Sequence, residues 1–207
     1  MPAEVFFDGL YDLRDGDDVR RHYQRFAADY DAELLNRGYA QPDRVADTLV
    51  AAGVPLDARI LDAGCGSGLS GRALADRGYR NLHGCDYSTE MLALAGRTGV
   101  YRTLHEVDLN VVPIAVPGAP FDAVTAVGVV GHGHVAGAAI AGLVDLLIPG
   151  GFLALAINEL AWPEGDAKPA LDELVAGRRL DPYDAELGEH IPGVDKQGWV
   201  VTARRSG

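Results

Sequence analysis

The stretch Arg59-Ile-Leu-Asp-Ala-Gly-Cys-Gly-Ser-Gly-Leu-Ser-Gly71 decides the fold. Ile60 and Leu61 read as a short apolar strand that Asp62 closes. Gly64, Gly66 and Gly68 alternate through a turn, and Leu69 to Arg77 then reads as a helix. Glycine takes positive φ and lets the backbone approach a ligand with no Cβ in the way. A helix start offers unpaired N–H groups and a partial positive charge. Strand, glycine turn and helix start together predict a nucleotide-binding cradle in an α/β sheet.

Downstream of the cradle, Asn81–Cys85 predicts a second strand with Asp86 at its carboxyl end. Ser88 is the expected N-cap of a helix carrying Glu90, Met91, Leu92 and Leu94. Tyr101–Val107 predicts a third strand, ending at Asp108-Leu109. After the proline-rich stretch Val112–Pro120, Phe121–Val130 reads as a strand buried on both faces. A loop, Gly131-His-Gly-His134, is followed by a long apolar helix to Leu147. Pro149-Gly-Gly151 predicts a sharp turn into a fifth strand, Phe152–Ile157. Beyond a loop with Trp162 and Pro163, and a short helix at Ala170–Ala176, two strands are expected, Tyr183–His190 and Gly198–Arg204. Pro192-Gly193 joins them, which makes them antiparallel. Alternating strands and helices predict a doubly wound, Rossmann-like, mostly parallel sheet.

Upstream, Met1–Gly16 is acidic and reads as an arm. Val19, Tyr23, Phe26 and Tyr30 recur at helical spacing. Pro42, Val45, Leu49 and Ala52 mark a second helix that stops at Gly53. The aromatic stripe has two readings: packing against the core, or a lid over the cradle with Tyr30 and Tyr39 as its closing residues. The chain is thus divided into an N-terminal arm and helical lid, 1–52, and a core, 53–207.

Composition narrows the partners. A chain of 207 residues with 48% hydrophobic and 23% charged residues fits one soluble globular domain. The formal net charge of −12 argues against a nucleic-acid partner and against an anionic membrane surface. Cys65 and Cys85 are too few for a disulfide scaffold and read as reduced, structural thiols. No signal peptide is evident and no apolar run spans a bilayer, so a cytoplasmic location is expected.

Gly66-Ser-Gly-Leu-Ser-Gly71 fits the dinucleotide pattern G-x-G-x-x-G, with Asp86 about 20 residues on. Taken from Asp62, the same letters give Asp-x-Gly-x-Gly-x-Gly. The carboxylates choose between the two registers. Asp62, Asp86 and Asp108 fall at the ends of successive strands, on the rim where open α/β sheets bind ligands. A carboxylate at the second strand end accepts from both hydroxyls of a ribose. Asp108 accepts from an exocyclic adenine amine, with the Leu109 backbone beside it. Asp62 lies before the glycines, where an acid repels a diphosphate and suits an amino group. A zwitterionic adenosyl cofactor is therefore favoured over a nicotinamide one.

At this point Ile60-Leu-Asp-Ala-Gly-Cys-Gly-Ser-Gly68 resembles the first motif of class I S-adenosylmethionine-dependent methyltransferases. His83-Gly-Cys-Asp-Tyr-Ser-Thr-Glu-Met-Leu92 resembles their ribose-binding motif, and Glu106-Val-Asp-Leu109 their adenine-binding one. Phe121–Gly128 resembles the fourth strand, and Leu147–Leu153 the turn into the fifth. Phe26-Ala-Ala-Asp-Tyr-Asp31 resembles the lid helix of small-molecule members, and the chain is similar to the compact Williams–Beuren-region methyltransferase-like proteins. The resemblance implies a seven-stranded sheet with the last strand antiparallel. It also implies that Asp62, Gly64, Gly66 and Gly68, with Cys65 inside the turn, hold the methionine part of S-adenosylmethionine. Asp86 then binds ribose, Tyr87 and Met91 flank adenine, Asp108 and Leu109 meet its amine, and Tyr30 closes from the lid.

Methyl transfer needs an acceptor placed in line with the sulfonium methyl, and a base only where the acceptor arrives protonated. His132 and His134 after the fourth strand and Asn158 and Glu159 after the fifth are the candidates, with His190 a further one. No metal is expected, because His132-x-His134 has no third ligand at matching spacing. Acidity and the absence of an Asn-Pro-Pro-Tyr element favour a small-molecule acceptor. A nicotinamide-dependent oxidoreductase and a non-catalytic cofactor-binding protein are the alternatives.

Overall fold

The computed structural model describes residues 32–130, 135, 137–159 and 161–207. The lid stripe with Tyr30, and the loop with His132 and His134, lie outside the described residues. Residues 32–36 are helical, and the elements that follow are α1 (Gln41–Ala51), β1 (Ile60–Ala63), α2 (Leu69–Asp76), β2 (Leu82–Asp86), α3 (Thr89–Thr98) and β3 (Tyr101–Glu106). Then come β4 (Phe121–Val127), α4 (Ala139–Asp145), β5 (Leu147–Asn158), α5 (Ala167–Ala176), β6 (Asp184–Ile191), a 3-10 turn (Pro192–Val194) and β7 (Lys196–Arg204). They form one seven-stranded sheet in the order β3-β2-β1-β4-β5-β7-β6. β1 to β5 are parallel, whereas β7 runs antiparallel to both β5 and β6. The chain order reverses between β1 and β4, the switch point at which such sheets open a crevice beyond their carboxyl ends.

Period-2 alternation sorts the strand residues between two cores. Ile60, Leu82, Ala123 and Phe152 face one side and pack with Val45 and Leu49 of α1 and Leu74 of α2. Leu61, Cys85, Val124 and Leu153 face the other, against Ile140 and Leu143 of α4 and Leu171 of α5. α1, grouped with the lid by sequence, therefore belongs to the sheet's packing: Val45, Ala46 and Leu49 are fully buried.

Two expected boundaries move. The apolar helix before the fifth strand is confined, among the described residues, to Ala139–Asp145. Leu147 already pairs with Phe121, and Ala123 pairs with Phe152, so Pro149-Gly150-Gly151 bulges within β5 instead of preceding it. Gly150 holds φ +76° there, a conformation open to glycine, so the strand absorbs the extra residues without ending. The terminal strands form the expected antiparallel pair, and their connection lies on the same rim as the carboxyl ends of β1 to β5, because Gly198 faces both Asn158 and Gly188.

Candidate functional site

The glycine turn is built from two kinds of constraint. Gly64 and Gly66 both hold positive φ, +69° and +51°. A Cβ on Gly64 would stand 2.5 Å from Val129 Cγ2, so the backbone there is closed from behind by β4's extension. A Cβ on Gly66 would meet no atom of the described residues within 4 Å: among them the turn borders open space at that point. Gly68, at φ +98°, caps α2 without a side chain, which leaves the helix start uncovered.

Asp86 ties this turn to β2. Its Oδ2 accepts from the Gly66 N–H at 2.9 Å, and its Oδ1 accepts from the Ser88 N–H at 2.9 Å. Ser88 in turn caps α3 by accepting from Met91 N–H at 3.2 Å. Burial raises the Asp86 carboxyl above its ordinary range, against the backbone donors that stabilise the anion. Val107 N–H donates to the Asp86 carbonyl at 2.9 Å, which sets Asp108 on the same rim. Asp108 is exposed, and its Oδ1 accepts from Asn110 N–H at 2.9 Å. Tyr87 is half-buried next to Asp86, and Met91 is buried in the first turn of α3. The Leu109 side chain is buried in the core and so is not free to face a ligand.

Asp62 stands differently from the role that spacing suggested. It has no exposed surface. Ser70 Oγ donates to its Oδ2 at 2.5 Å, Tyr101 Oη to the same oxygen at 2.6 Å, and Thr125 Oγ1 to Oδ1 at 3.3 Å. The carboxylate lies beneath the turn and spends its lone pairs on hydroxyls, which leaves it no open face towards an amino group. Burial raises its pKa, and the hydroxyl donors oppose the rise. Alternation explains the set. Asp62 and Thr125 are register partners on β1 and β4, and Ser70 follows in the first turn of α2. Tyr101 reaches them from β3 across β2, over Gly84, the register partner of Asp62. A Cβ on Gly84 would stand 3.2 Å from the Tyr101 ring, and one on Gly71 would overlap its hydroxyl. Tyr101, Ser70 and Thr125 were missed from sequence. Thr125 was the readable signal, a lone hydroxyl in the apolar run Phe121–Val130.

Cys65 and Cys85 are buried and unbridged. Cys65 N–H donates to the Cys85 carbonyl at 2.9 Å, continuing the β1–β2 ladder. Burial raises both thiols, Cys85 to about 12, so neither is a nucleophile.

The other side of the rim is formed by the ends of β4, β5 and β6 and the start of β7. Asn158 Oδ1 accepts from Ala161 N–H at 2.9 Å, which binds it into the turn after β5. Glu159 pairs with Lys196 at 3.2 Å and accepts from Gln197 N–H at 3.3 Å. Both therefore hold the loop that follows β5. His190 is buried, and Tyr39 packs edge-on against it with ring centroids 5.4 Å apart. Among the described residues no group of three or more His, Cys, Asp or Glu side chains is placed to hold a metal ion.

Residues 60–151 match a protein-family model described as a methyltransferase domain. Human methyltransferase-like protein 27 is 38% identical over 135 residues, 64% of this chain; the chain spans 55% of that protein's length. Magnesium protoporphyrin IX methyltransferase from Synechocystis, solved with bound S-adenosylmethionine, superposes with a TM-score of 0.70 at 20% identity, covering 94% of this chain and 98% of that one. The Burkholderia thailandensis 1,6-didemethyltoxoflavin-N1-methyltransferase, with bound 1,6-didemethyltoxoflavin and S-adenosylhomocysteine, gives 0.63 at 22% identity over 89% and 87% of the two chains. With the sheet order and the motifs along β1 to β5, these matches show that the chain has the fold of class I S-adenosylmethionine-dependent methyltransferases, and that its residues 60–151 are similar to a methyltransferase domain.

Proposed function

We propose that this protein transfers the methyl group of S-adenosylmethionine to a small molecule. The observation that carries the reading is the bond from Gly66 N–H to Asp86 Oδ2, which joins an open glycine turn to a buried carboxylate on one rim. The residues present fit the cofactor. Gly66 borders open space for its methionine part, with Gly64 and Gly68 holding the positive-φ turn on either side; Asp86 has lone pairs remaining for ribose hydroxyls, and Tyr87, Met91 and Asp108 border the adenine position. Asp62 supports the turn from beneath through its three hydroxyl partners. When bound, the cofactor supplies an electrophilic methyl on a sulfonium.

The protein's part is to fix the turn, hold the ribose, exclude water and bring the acceptor in line, so orientation supplies most of the acceleration. Tyr30 from the lid and His132 and His134 from the loop after β4 remain candidates for closing over and facing the acceptor. A small-molecule acceptor is supported by the net charge of −12 and by two similar structures, one named for magnesium protoporphyrin IX and one holding 1,6-didemethyltoxoflavin. No described helix is long and apolar enough to cross a membrane.

Calorimetric titration with S-adenosylmethionine, S-adenosylhomocysteine and NAD tests the reading. Micromolar binding of the first two alone is the expected result, and binding of NAD alone overturns it. Asp86→Ala is expected to weaken S-adenosylhomocysteine binding by more than about 1.5 kcal/mol, the scale of a hydrogen bond to a charged group. Unchanged affinity in a folded variant removes the ribose role.

A further inference from the structure

Two buried polar atoms on the acceptor side have no hydrogen-bond partner among the described residues: Gln41 Nε2 and His190 Nδ1. Gln41 has no exposed surface and His190 is 9% exposed. Leaving such an atom unmet costs about 1–3 kcal/mol, and native interiors rarely tolerate it without a reason.

The two residues are held side by side. Gln41 opens α1, His190 lies near the end of β6, and Ala40 N–H donates to the His190 carbonyl at 2.9 Å. Between them is Gly198. A Cβ there would overlap Gln41 Nε2 and stand 3.1 Å from His190 Cβ, so the glycine makes room for the amide beside the imidazole.

The amide's orientation is set by Arg44, whose Nη1 donates to Gln41 Oε1 at 3.3 Å. That guanidinium is anchored by the carbonyls of Gly198 at 2.8 Å, Glu186 at 2.9 Å and Glu189 at 3.2 Å. Gln41 is thereby left presenting its NH2. Tyr39 connects this pair to the cradle. Its ring meets His190 edge-on, and its hydroxyl lies 3.0 Å from where a Cβ on Gly128 would stand, one residue before the Val129 that backs Gly64.

Resting on the methyl-transfer reading above, we propose that Gln41 and His190, walled by Tyr39, form the subsite that binds an uncharged hydroxyl group of the methyl acceptor. One hydroxyl satisfies both atoms: its oxygen accepts from Gln41 Nε2 and its O–H donates to His190 Nδ1. The surroundings select for neutrality. Glu159 is paired with Lys196, and Arg44 is spent on carbonyls and on Gln41. Burial pushes the imidazole down to about 4, with Arg44 and Lys196 lowering it further and Glu159 opposing them, so the ring is uncharged at neutral pH. With the ring proton on Nε2, a carboxylate would face the Nδ1 lone pair, and in either tautomer an ammonium would face the amide N–H groups.

The test uses the full chain, labelled with 15N at histidine and saturated with S-adenosylhomocysteine. Phenol, catechol and cyclohexanol are titrated in, each against its methyl ether, while the His190 ring nitrogens are followed by NMR. At least one hydroxyl probe is expected to shift His190, and its ether to do so more weakly. Gln41→Met is expected to weaken that probe by about fivefold, one hydrogen bond's worth, with the melting temperature kept or raised because an unmet polar atom is gone.

The proposal is overturned if no hydroxyl probe moves His190, or if ethers bind as well as alcohols. It is also overturned if Gln41→Met lowers the melting temperature while probe binding persists, which would mean a structural water bridges the pair. The wild-type titrations decide the matter even where the variant does not fold. Failure of S-adenosylhomocysteine to bind would instead remove the parent reading.

Discussion

Asp62 is a carboxylate with no exposed surface, and its standing depends on neighbours from three other elements. Tyr101 gives it one of its two shortest bonds, from a phenol that crosses β2 over a glycine. A buried anion that loses a donor bears the full cost of that desolvation, about 1.5–3 kcal/mol for a charged group. Tyr101→Phe is therefore expected to lower unfolding free energy by about 2 kcal/mol and to weaken S-adenosylhomocysteine binding, since Asp62 lies beneath the turn. Denaturant titration and calorimetry on the same variant check both. A folded variant with unchanged stability and affinity would show that Ser70 and Thr125 suffice. The acid itself was plain in the sequence because it precedes the glycines. Its burial was not, because the hydroxyls that cover it come from positions 70, 101 and 125 and meet only when β3, β1 and β4 are assembled.

At the scale of the element, the glycine turn separates two demands that the sequence pattern merges. For the fold, Gly66 is required for its backbone conformation, because a Cβ there meets no atom of the described residues within 4 Å. Gly64 is required for its conformation and for space against Val129. Gly66→Ala is expected to cost about 1–2 kcal/mol of stability, the penalty of a left-handed alanine. Gly64→Ala is expected to cost more, and Val129→Ala should recover part of the excess while leaving Gly66→Ala unimproved. Thermal unfolding of the four proteins against wild type measures this. The helix caps were legible in the same way: Ser88 stands before an apolar run and does accept from Met91 N–H. The bulge at Pro149–Gly151 was misread as a turn because proline and glycine punctuate both, and only the pairing of Leu147 with Phe121 distinguishes them.

Across the whole molecule, His190 couples the β6–β7 hairpin to α1, and this makes stability depend on pH. An imidazole held at about 4 in the fold takes up its proton near its ordinary value of 6.5 once unfolded. Between those values the unfolded chain binds the extra proton, so stability is full above the upper value and falls as pH drops towards the lower one. The slope attributable to His190 is at most about 1.4 kcal/mol per pH unit, one proton's worth. The buried carboxyls of Asp62 and Asp86, both raised, act in the opposite sense as they protonate. Comparison with His190→Phe isolates the histidine: the variant is expected to lose less stability than wild type across that window. Equal slopes in denaturant titrations would show that His190 titrates normally.

By itself the sequence determined the α/β class, the parallel run of strands, the glycine turn and the three rim acids, because each depends on neighbours within one βα unit. Local periodicity and local turn chemistry are enough to specify such features. Only the tertiary structure decided which acid is exposed, which is covered, and that Gln41 and His190 stand together at Gly198. Those facts depend on contacts between strands and helices far apart in the chain, joined by the order β3-β2-β1-β4-β5-β7-β6. Spacing can bring a residue to the rim, but burial is set by what packs against it.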